Sequence, residues 1–288
     1  MPCPRRAVYS GFLQQGYAIG YLLAAVAYLL IRNLTDWGWR GLFALSIVPA
    51  IVTLILRTRV KESELWMETK ETAKMTKTRP RDILRKPTVL RRFAYLIVLM
   101  TLFNWLSHGS QDIYPTYLKV GLHFAPNTAL YIAMLYNVGA LIGGLTMGAL
   151  SERIGRRAVI VLCCVLGLPV IPLFAASTTL GLVCLGSFLM QVFVQGAWAV
   201  VPAHLSELSP PEVRGFYPGV TYQLGNCLAA FNLPIQERLA GSHSYTFAIS
   251  VTLVPVMVLL AVFALLGKEA RGQRLGTSSV QPQEPAAV

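Results

Sequence analysis

The sequence predicts an all-α membrane protein that crosses the bilayer about eight times. Of its 288 residues, 55% are hydrophobic and only 13% are charged, whereas soluble domains carry about 25% charged residues. A membrane-spanning helix needs roughly 20 mostly apolar residues. Such stretches occur at 8–31, 40–57, 93–118, 127–150, 157–175, 179–201, 216–236 and 245–267. Together they account for most of the chain.

Basic residues concentrate in alternate loops between the predicted spans. The formal net charge is +12, and segment 57–92 alone carries twelve Lys and Arg residues. Segments 151–157 and 267–274 are also basic, whereas loop 176–180 has no charge. Because cytoplasmic loops of membrane proteins are rich in Lys and Arg, this pattern predicts a multi-pass protein of the cell membrane with both termini in the cytoplasm. It argues against nucleic-acid binding as the reason for the charge.

The cysteines do not form a metal or redox pattern. Their number is odd, most fall inside apolar stretches, and their spacing fits neither zinc nor a redox pair. They are Cys3, Cys163, Cys164, Cys184 and Cys227. We therefore expect the protein to use neither a metal nor a cofactor.

The third predicted span carries an unusual polar segment, FNWLSHGSQDIYPTYLKV, at 103–120. At about 100° per residue, five polar groups share an arc of about 140° on one helix face. These are Asn104, Ser107, His108, Gln111 and Asp112, with Ser110 and Thr116 beyond the edges of the arc. Polar residues inside a bilayer are costly and normally face a bundle interior or a water-filled cavity. This polar stripe therefore predicts a functional site rather than interhelical hydrogen bonds alone.

His108 and Asp112 are four residues apart, so their side chains can approach one another on a helix. The pair allows two other hypotheses. A zinc site would need a third ligand, and an intramembrane acyltransferase with His108 as general base would need further catalytic groups. The sequence suggests neither, so we expect no enzymatic activity and keep the acyltransferase as an alternative.

Two short segments match one another 208 positions apart. RAVYSGFLQQGY at 6–17 aligns with RGFYPGVTYQLG at 214–225 through matching Arg, Tyr, Gly and Gln positions. The first segment opens the first predicted span and the second opens the seventh, so the repeats lie six helices apart. Two homologous six-helix halves are a common transporter layout. The repeat therefore predicts that the first half lacks its opening four helices.

The loop GALSERIGRRAVI at 148–160 contains a motif in which the residue types have identifiable structural roles. A glycine at its start allows close helix approach, a carboxylate can pair with a cation or cap a helix, and a second glycine permits a tight turn. The motif residues are Gly148, Glu152, Arg153, Gly155, Arg156 and Arg157. It resembles the cytoplasmic loop motif of the major facilitator superfamily, with Glu152 where Asp is usual. VKESELW at 60–66 resembles the segment that follows helix six of that family.

The resemblance implies a major facilitator fold similar to helices five to twelve of a twelve-helix transporter. On this interpretation, 1–57 forms the last two helices of the N-terminal bundle and 58–92 is the cytoplasmic central loop. Residues 93–267 form the C-terminal six-helix bundle, and 268–288 form a disordered cytoplasmic tail. A narrower group within this superfamily, which the polar stripe resembles as described next, carries a membrane-embedded Arg in helix four. That Arg has no counterpart here, which leaves His108 as the cationic candidate.

The polar stripe also resembles a narrower group. Asn104, Ser107, His108, Ser110, Gln111, Asp112 and Thr116 fill every fixed position of N-x-x-[ST]-H-x-[ST]-Q-D-x-x-x-T, the signature of the lactate/pyruvate:proton symporters within the sialate:proton symporter family. The resemblance implies carboxylate recognition by Asn104, His108 and Gln111, and proton coupling by His108 and Asp112. Gln223 and Asn226, in TYQLGN, are implied as further substrate-binding residues.

The partners implied by this resemblance are a small organic anion, protons and the lipid bilayer, and we expect a monomer. Two alternatives remain open. The substrate could be sialic acid or another organic acid, or the chain could be a truncated product that inserts into the membrane without transporting anything.

Several other polar residues are expected to be solvated. Segment 203–215 contains Glu207, Glu212 and Arg214, which are expected to form ion pairs in a cytoplasmic loop. His123, His204 and His243 fall in predicted loops or span ends. In contrast, Ala140, Gly143, Gly144 and Gly148 give the fourth span a small-residue face suited to tight packing.

Overall fold

The computed structural model describes residues 6–34, 39–59, 83–210 and 213–269, and all regular structure within these ranges is helical. Seven helical segments there are long and apolar enough to cross a membrane. The all-α membrane fold class is therefore confirmed. Segment 60–66, most of the predicted central loop, Glu212 and most of the predicted tail lie outside the described residues.

Within the described residues, eight helical units follow one another, labelled α1 to α8. They are α1 Arg6–Leu34, α2 Trp39–Leu45 with Ile47–Arg59, α3 Pro87–Gln111 with Tyr114–Thr116 and the π-turn Tyr117–Gly121, α4 Pro126–Ile154, α5 Arg156–Gly167 with Leu168–Val170 and Ile171–Ala175, α6 Leu180–Trp198 with Val201–Leu208, α7 Tyr217–Ala229 with Asn232–Ser242, and α8 Tyr245–Leu266.

The sequence predicts one continuous span at 216–236, but the seventh unit of the structure is interrupted. It consists of helices of 13 and 11 residues with a break at 230–231. Asn232 and Gln236 are polar yet fully buried just after the break. Each half is too short to cross a bilayer alone, so seven of the eight predicted spans are found as single spanning segments in the described chain.

Proline sets several of the other helix breaks, because it cannot donate a backbone hydrogen bond. In α3 the regular helix ends at Gln111, and Pro115 lies at the start of the next short helix. In α6 the break after Trp198 precedes Pro202. The break in α3 places Asp112, the last residue of the polar stripe, at the end of a helix.

Small residues of α4 bring three helices together, as predicted. A methyl group added to Gly143 would overlap the backbone of Val192 on α6, and one added to Gly144 would overlap the side chain of Gln15 on α1. Gly11 on α1 lies against Gly144 and Gly148, since a Cβ at Gly11 would be 3.5 Å from the Gly148 Cα. Helices α1 and α6 therefore pack closely on two sides of α4.

The apolar core lies among α3 to α8, with Phe103, Met190 and Leu253 among its fully buried side chains. Helix Ile47–Arg59 of α2 has no buried residue. Large apolar side chains of α1, such as Phe12 and Leu13, are exposed as well. An apolar surface of this kind is compatible with contact to lipid.

Candidate functional site

The polar stripe on α3 divides into a buried part and an open part. Asn104 is buried, and its Nδ2 donates to the Met100 carbonyl oxygen at 2.9 Å. Ser110 is also buried, and its hydroxyl donates to the Ser107 carbonyl oxygen at 3.0 Å. These bonds satisfy both side chains within the helix itself. His108, Gln111 and Asp112 are the members of the stripe that are not buried.

His108 and Asp112 form a direct pair at that end. His108 Nδ1 lies 3.0 Å from Asp112 Oδ2, and the two side chains are 37% and 34% exposed. The backbone N–H of Asp112 donates to the His108 carbonyl oxygen at 2.9 Å, so the last helical turn fixes their spacing. Asn226 on α7 lies beside the His108 ring. The pair can therefore hold or exchange one proton while remaining accessible to a small ligand.

Gln111 connects three helices beside this pair. The Tyr17 hydroxyl on α1 donates to Gln111 Oε1 at 3.4 Å. Gln111 Nε2 donates to Ser107 Oγ at 3.1 Å and to Gln191 Oε1 on α6 at 3.4 Å. The longer of these bonds are weak and can be exchanged for bonds to a ligand at small cost. Gln111 is thus a polar contact point among α1, α3 and α6.

Aromatic side chains border the same region. The rings of Tyr17 and Tyr21 lie 4.8 Å apart, and Tyr17 and Tyr136 are within electrostatic range of Asp112. A concavity of about 380 Å³ runs along α1 beside Tyr17 and Tyr21, where Gly16 carries no side chain to fill it. Tyr17 therefore both lines this concavity and contacts Gln111 of the polar stripe.

The remaining predicted site residues are spread more widely. Asn226 is half-buried next to His108, whereas Gln223 on the same helix is exposed. Thr116 lies beyond the helix break and is exposed. The geometry therefore brings together His108, Gln111, Asp112 and Asn226. Gln223 and Thr116 stand apart from that group.

Tyr17 and Gln191 were not predicted as site residues. Gln191 is 1% exposed and, like Gln195, interrupts an apolar span. A polar residue inside a predicted span is a signal that could have found Gln191. Tyr17 gives no such signal, because tyrosine is common in membrane helices.

A second polar cluster lies at the opposite end of the bundle, in the loop motif that was predicted to be cytoplasmic. Arg156 is 1% exposed and pairs with two carboxylates, Glu207 Oε1 at 3.2 Å and Glu152 Oε2 at 3.1 Å. Its Nη1 also donates to the Ser151 carbonyl oxygen at 2.9 Å. The sequence-based expectation that Glu152 pairs with a cation is confirmed.

The turn before α5 is stabilised by a distant carboxylate. Glu269 accepts hydrogen bonds from the backbone N–H groups of Arg156 at 3.1 Å and Arg157 at 3.0 Å. Gly155 has φ 102°, and a Cβ there would lie 2.9 Å from Glu269 Oε2. The tight turn expected at Gly155 is confirmed, and the residue that caps α5 is Glu269. Arg157 also donates to the carbonyl oxygens of Ala264, at 2.7 Å, and Leu265.

Two expectations for segment 203–215 are wrong. Glu207 is 3% exposed and His204 is 2% exposed, whereas both were expected to be solvated. The reason is that α6 continues to Leu208 and keeps this helix face inside the bundle. Neither ring nitrogen of His204 has a hydrogen-bond partner among the described residues. His123 and His243 are exposed, as predicted.

Comparisons of the sequence with protein families give matches across most of the chain. The Major Facilitator Superfamily model matches residues 113–286. The model named Sugar (and other) transporter matches residues 4–92.

Among individual proteins, the chain is 31% identical over 271 residues to a carboxylic acid transporter protein homolog of Saccharomyces cerevisiae, covering 84% of this chain and 42% of that protein. It is 25% identical over 271 residues to the sialic acid transporter NanX of Escherichia coli, covering 90% of this chain and 64% of that protein. The chain thus spans less than two thirds of the length of both relatives.

Among solved structures, the proton:xylose symporter XylE in complex with 6-bromo-6-deoxy-D-glucose has the same fold. The TM-score is 0.70 at 19% identity, covering 96% of this chain and 67% of that chain. The predicted major facilitator fold is confirmed. Members of this family are transporters rather than enzymes, in agreement with the expectation from the sequence. This chain belongs to the Major Facilitator Superfamily.

Proposed function

We propose that the protein transports small monocarboxylates, with lactate and pyruvate as the first candidates, together with protons. The observation that carries this proposal is the partly exposed pair of His108 and Asp112 beside Gln111. His108 Nδ1 lies 3.0 Å from Asp112 Oδ2. A carboxylate that enters a region of low dielectric needs hydrogen-bond donors or a positive partner. Protonated His108 and the amides of Gln111 and Asn226 supply both.

Proton coupling follows from the same pair. Histidine changes charge near neutral pH, so His108 can take up a proton with the anion and release it where the anion leaves. Asp112 holds the ring in place and can accept the proton in turn. One proton and one monocarboxylate carry no net charge together, which lowers the cost of crossing the low-dielectric region.

Alternating access would expose the site to each side of the membrane in turn. In this proposal 1–57 closes an N-terminal bundle and 93–267 forms the C-terminal bundle. The Tyr17–Gln111 hydrogen bond then joins the two at the site. Both termini face the cytoplasm, and the protein acts as a monomer in the cell membrane.

Sialic acid or another organic acid is the alternative substrate. The name of the Escherichia coli relative supports sialic acid, and that of the yeast relative supports a carboxylic acid more generally. A chain that inserts without transporting is the second alternative. The experiment below separates these cases.

The test is uptake into proteoliposomes that contain the intact chain. Radiolabelled lactate, pyruvate and sialic acid are offered with an acidic exterior, and each is repeated with a protonophore. We expect lactate or pyruvate to accumulate with the pH gradient and the accumulation to collapse with the protonophore. Accumulation of sialic acid alone would favour the alternative substrate, and no uptake of any compound would favour the non-transporting product.

Replacing Lys119 by Gln provides a matched control, because Lys119 is exposed and lies outside the site. Its uptake should equal that of the unmodified protein. Uptake of lactate that ignores the pH gradient, and that is unchanged in His108→Gln, would contradict the proposed role of the pair.

A further inference from the structure

A cationic cavity opens at the cytoplasmic end of the bundle, away from the polar stripe. It has a volume of about 430 Å³ and lies between the start of α3 and the end of α8. Thr88, Arg91 and Arg92 line it from α3, and Gly267 and Lys268 line it from the segment after α8. Three basic side chains therefore converge on one opening.

The walls of this cavity are held in place by hydrogen bonds. Arg92 Nη1 donates to the Leu208 carbonyl oxygen at 3.1 Å, which ties α3 to the end of α6. The Tyr95 hydroxyl donates to the Phe263 carbonyl oxygen at 3.0 Å, which ties α3 to α8. A methyl group on Gly267 would overlap the Tyr95 hydroxyl, so the glycine allows this close approach. The cavity is thus part of the packing of three helix ends.

The positive charge of the cavity is not balanced by the described residues that line it. None of the described lining residues is acidic, and Arg91 and Lys268 form no ion pair within the described chain. Glu269 follows Lys268, but its carboxylate is directed to the backbone N–H groups of Arg156 and Arg157. The N-terminus of α3, with Pro87 in its first turn, adds the positive end of a helix dipole.

Exposed apolar side chains adjoin the charged opening. Leu266 lines the cavity and is 76% exposed, and Leu90 and Leu265, which precede the lining residues Arg91 and Leu266 in the chain, are 58% and 56% exposed. A ligand that combines an anionic group with a hydrocarbon chain would satisfy both surfaces. Basic pockets between helices on the cytoplasmic side suit the phosphate of an anionic lipid headgroup.

We propose that this cavity binds the phosphate group of an anionic lipid from the cytoplasmic leaflet. The phosphate oxygens accept charge-assisted hydrogen bonds from Arg91, Arg92 and Lys268. The acyl chains lie along Leu90 and Leu266. A bound headgroup bridges the ends of α3 and α8, so it stabilises the arrangement of the two helices.

The proposal is tested with the purified full chain in a neutral detergent. The unfolding temperature is followed while dioctanoyl phosphatidylglycerol is added, with dioctanoyl phosphatidylcholine and inorganic phosphate as parallel probes. Arg91→Gln/Lys268→Gln is compared with Lys119→Gln/Arg238→Gln. The second variant removes two exposed charges at the other end of the bundle, so both variants lose the same net charge.

We expect phosphatidylglycerol to raise the unfolding temperature of the unmodified protein and of the control variant. In Arg91→Gln/Lys268→Gln the lipid concentration needed should rise about thirtyfold, since each cation near the membrane surface contributes about a factor of five. A response to phosphatidylglycerol alone assigns the site to a lipid headgroup. A response to inorganic phosphate as well shows that the anion-binding chemistry is right but that the site also accepts free phosphate.

Two results would overturn the proposal. One is an equal response to phosphatidylglycerol and to zwitterionic phosphatidylcholine, which would show that the cavity does not recognise the net negative charge of the headgroup. The other is an unchanged lipid requirement in Arg91→Gln/Lys268→Gln. Because both substituted residues are exposed, neither substitution should prevent folding, and a single size-exclusion peak checks this.

Discussion

Two of the ion pairs among the described residues lie in contrasting settings. Arg156 and Glu207 are both buried, and Arg156 Nη2 and Nε donate to the two oxygens of one carboxylate at 3.2 and 3.4 Å. His108 and Asp112 make one contact at 3.0 Å with about a third of each side chain exposed. Breaking a buried pair leaves a charge without compensation, whereas an open pair contributes about 1 kcal/mol or less to stability. The Arg156–Glu207 pair is therefore expected to stabilise the fold, whereas the His108–Asp112 pair remains accessible to a ligand and to protons.

The largest effect is expected from removing the buried carboxylate. Glu207→Ala leaves Arg156 buried with Glu152 as its remaining carboxylate, and the free energy of unfolding should fall by about 3–5 kcal/mol. Reversible unfolding in mixed detergent micelles measures this loss. Glu152→Ala is the control and should cost less, because the Glu152 side chain is 17% exposed. Equal losses in the two variants would contradict the assigned difference in burial.

Changing the exposed His108–Asp112 pair is expected to affect uptake strongly and stability little. Asp112→Asn should lower pH-driven uptake by about a hundredfold, a typical loss when a proton-transfer group is removed. Its free energy of unfolding should change by about 1 kcal/mol or less. Uptake into proteoliposomes and unfolding are measured on the same preparation. A large loss of stability with intact uptake would contradict a role of Asp112 in proton coupling and would make its pair with His108 structural.

A smaller effect on stability is expected at the turn that leads into α5. Gly155→Ala forces a side chain into φ 102° and against Glu269, which should cost about 1–3 kcal/mol. The uptake per folded molecule should stay the same, because the turn is far along the chain from the polar stripe. Gly181→Ala is a suitable control, since a Cβ there meets nothing within 4 Å. Equal destabilisation by both substitutions would argue against strain at Gly155.

The smallest effect is expected at Tyr17. Tyr17→Phe removes one hydrogen bond of 3.4 Å to Gln111 while keeping the ring. The KM for the transported anion should change by about tenfold or less, since a single such bond contributes about 0.5–1.5 kcal/mol. Initial rates over a range of substrate concentrations measure KM and kcat separately. A loss of all uptake would give Tyr17 a larger role than its geometry indicates.

The sequence predicts the spans well because hydropathy depends on residues next to one another along the chain. The boundaries of α1 and α4 agree with their predictions within a few residues. The open pair is also predictable, because His108 and Asp112 lie on one helix at a known spacing.

Contacts between distant helices could not be predicted in the same way. The bonds from Gln111 to Tyr17 and Gln191 join residues that are 94 and 80 positions apart. The burial of His204 and Glu207 depends on how far α6 continues into the bundle. Gln236 Nε2 on α7 donates to the Gly109 carbonyl oxygen on α3 at 2.9 Å, a contact that the sequence of α7 alone does not reveal.

The cap that Glu269 provides for α5 has a consequence for the order of biosynthesis. The backbone N–H of Arg156 is satisfied by a carboxylate 113 residues further along the chain. The ribosome therefore completes α5 well before its cap exists, and proteins begin to fold from the N-terminal side during synthesis. The start of α5 can reach its final form only after α8 has been synthesised and inserted. A nascent chain arrested before residue 269 would carry every described helix while this turn still lacked its partner.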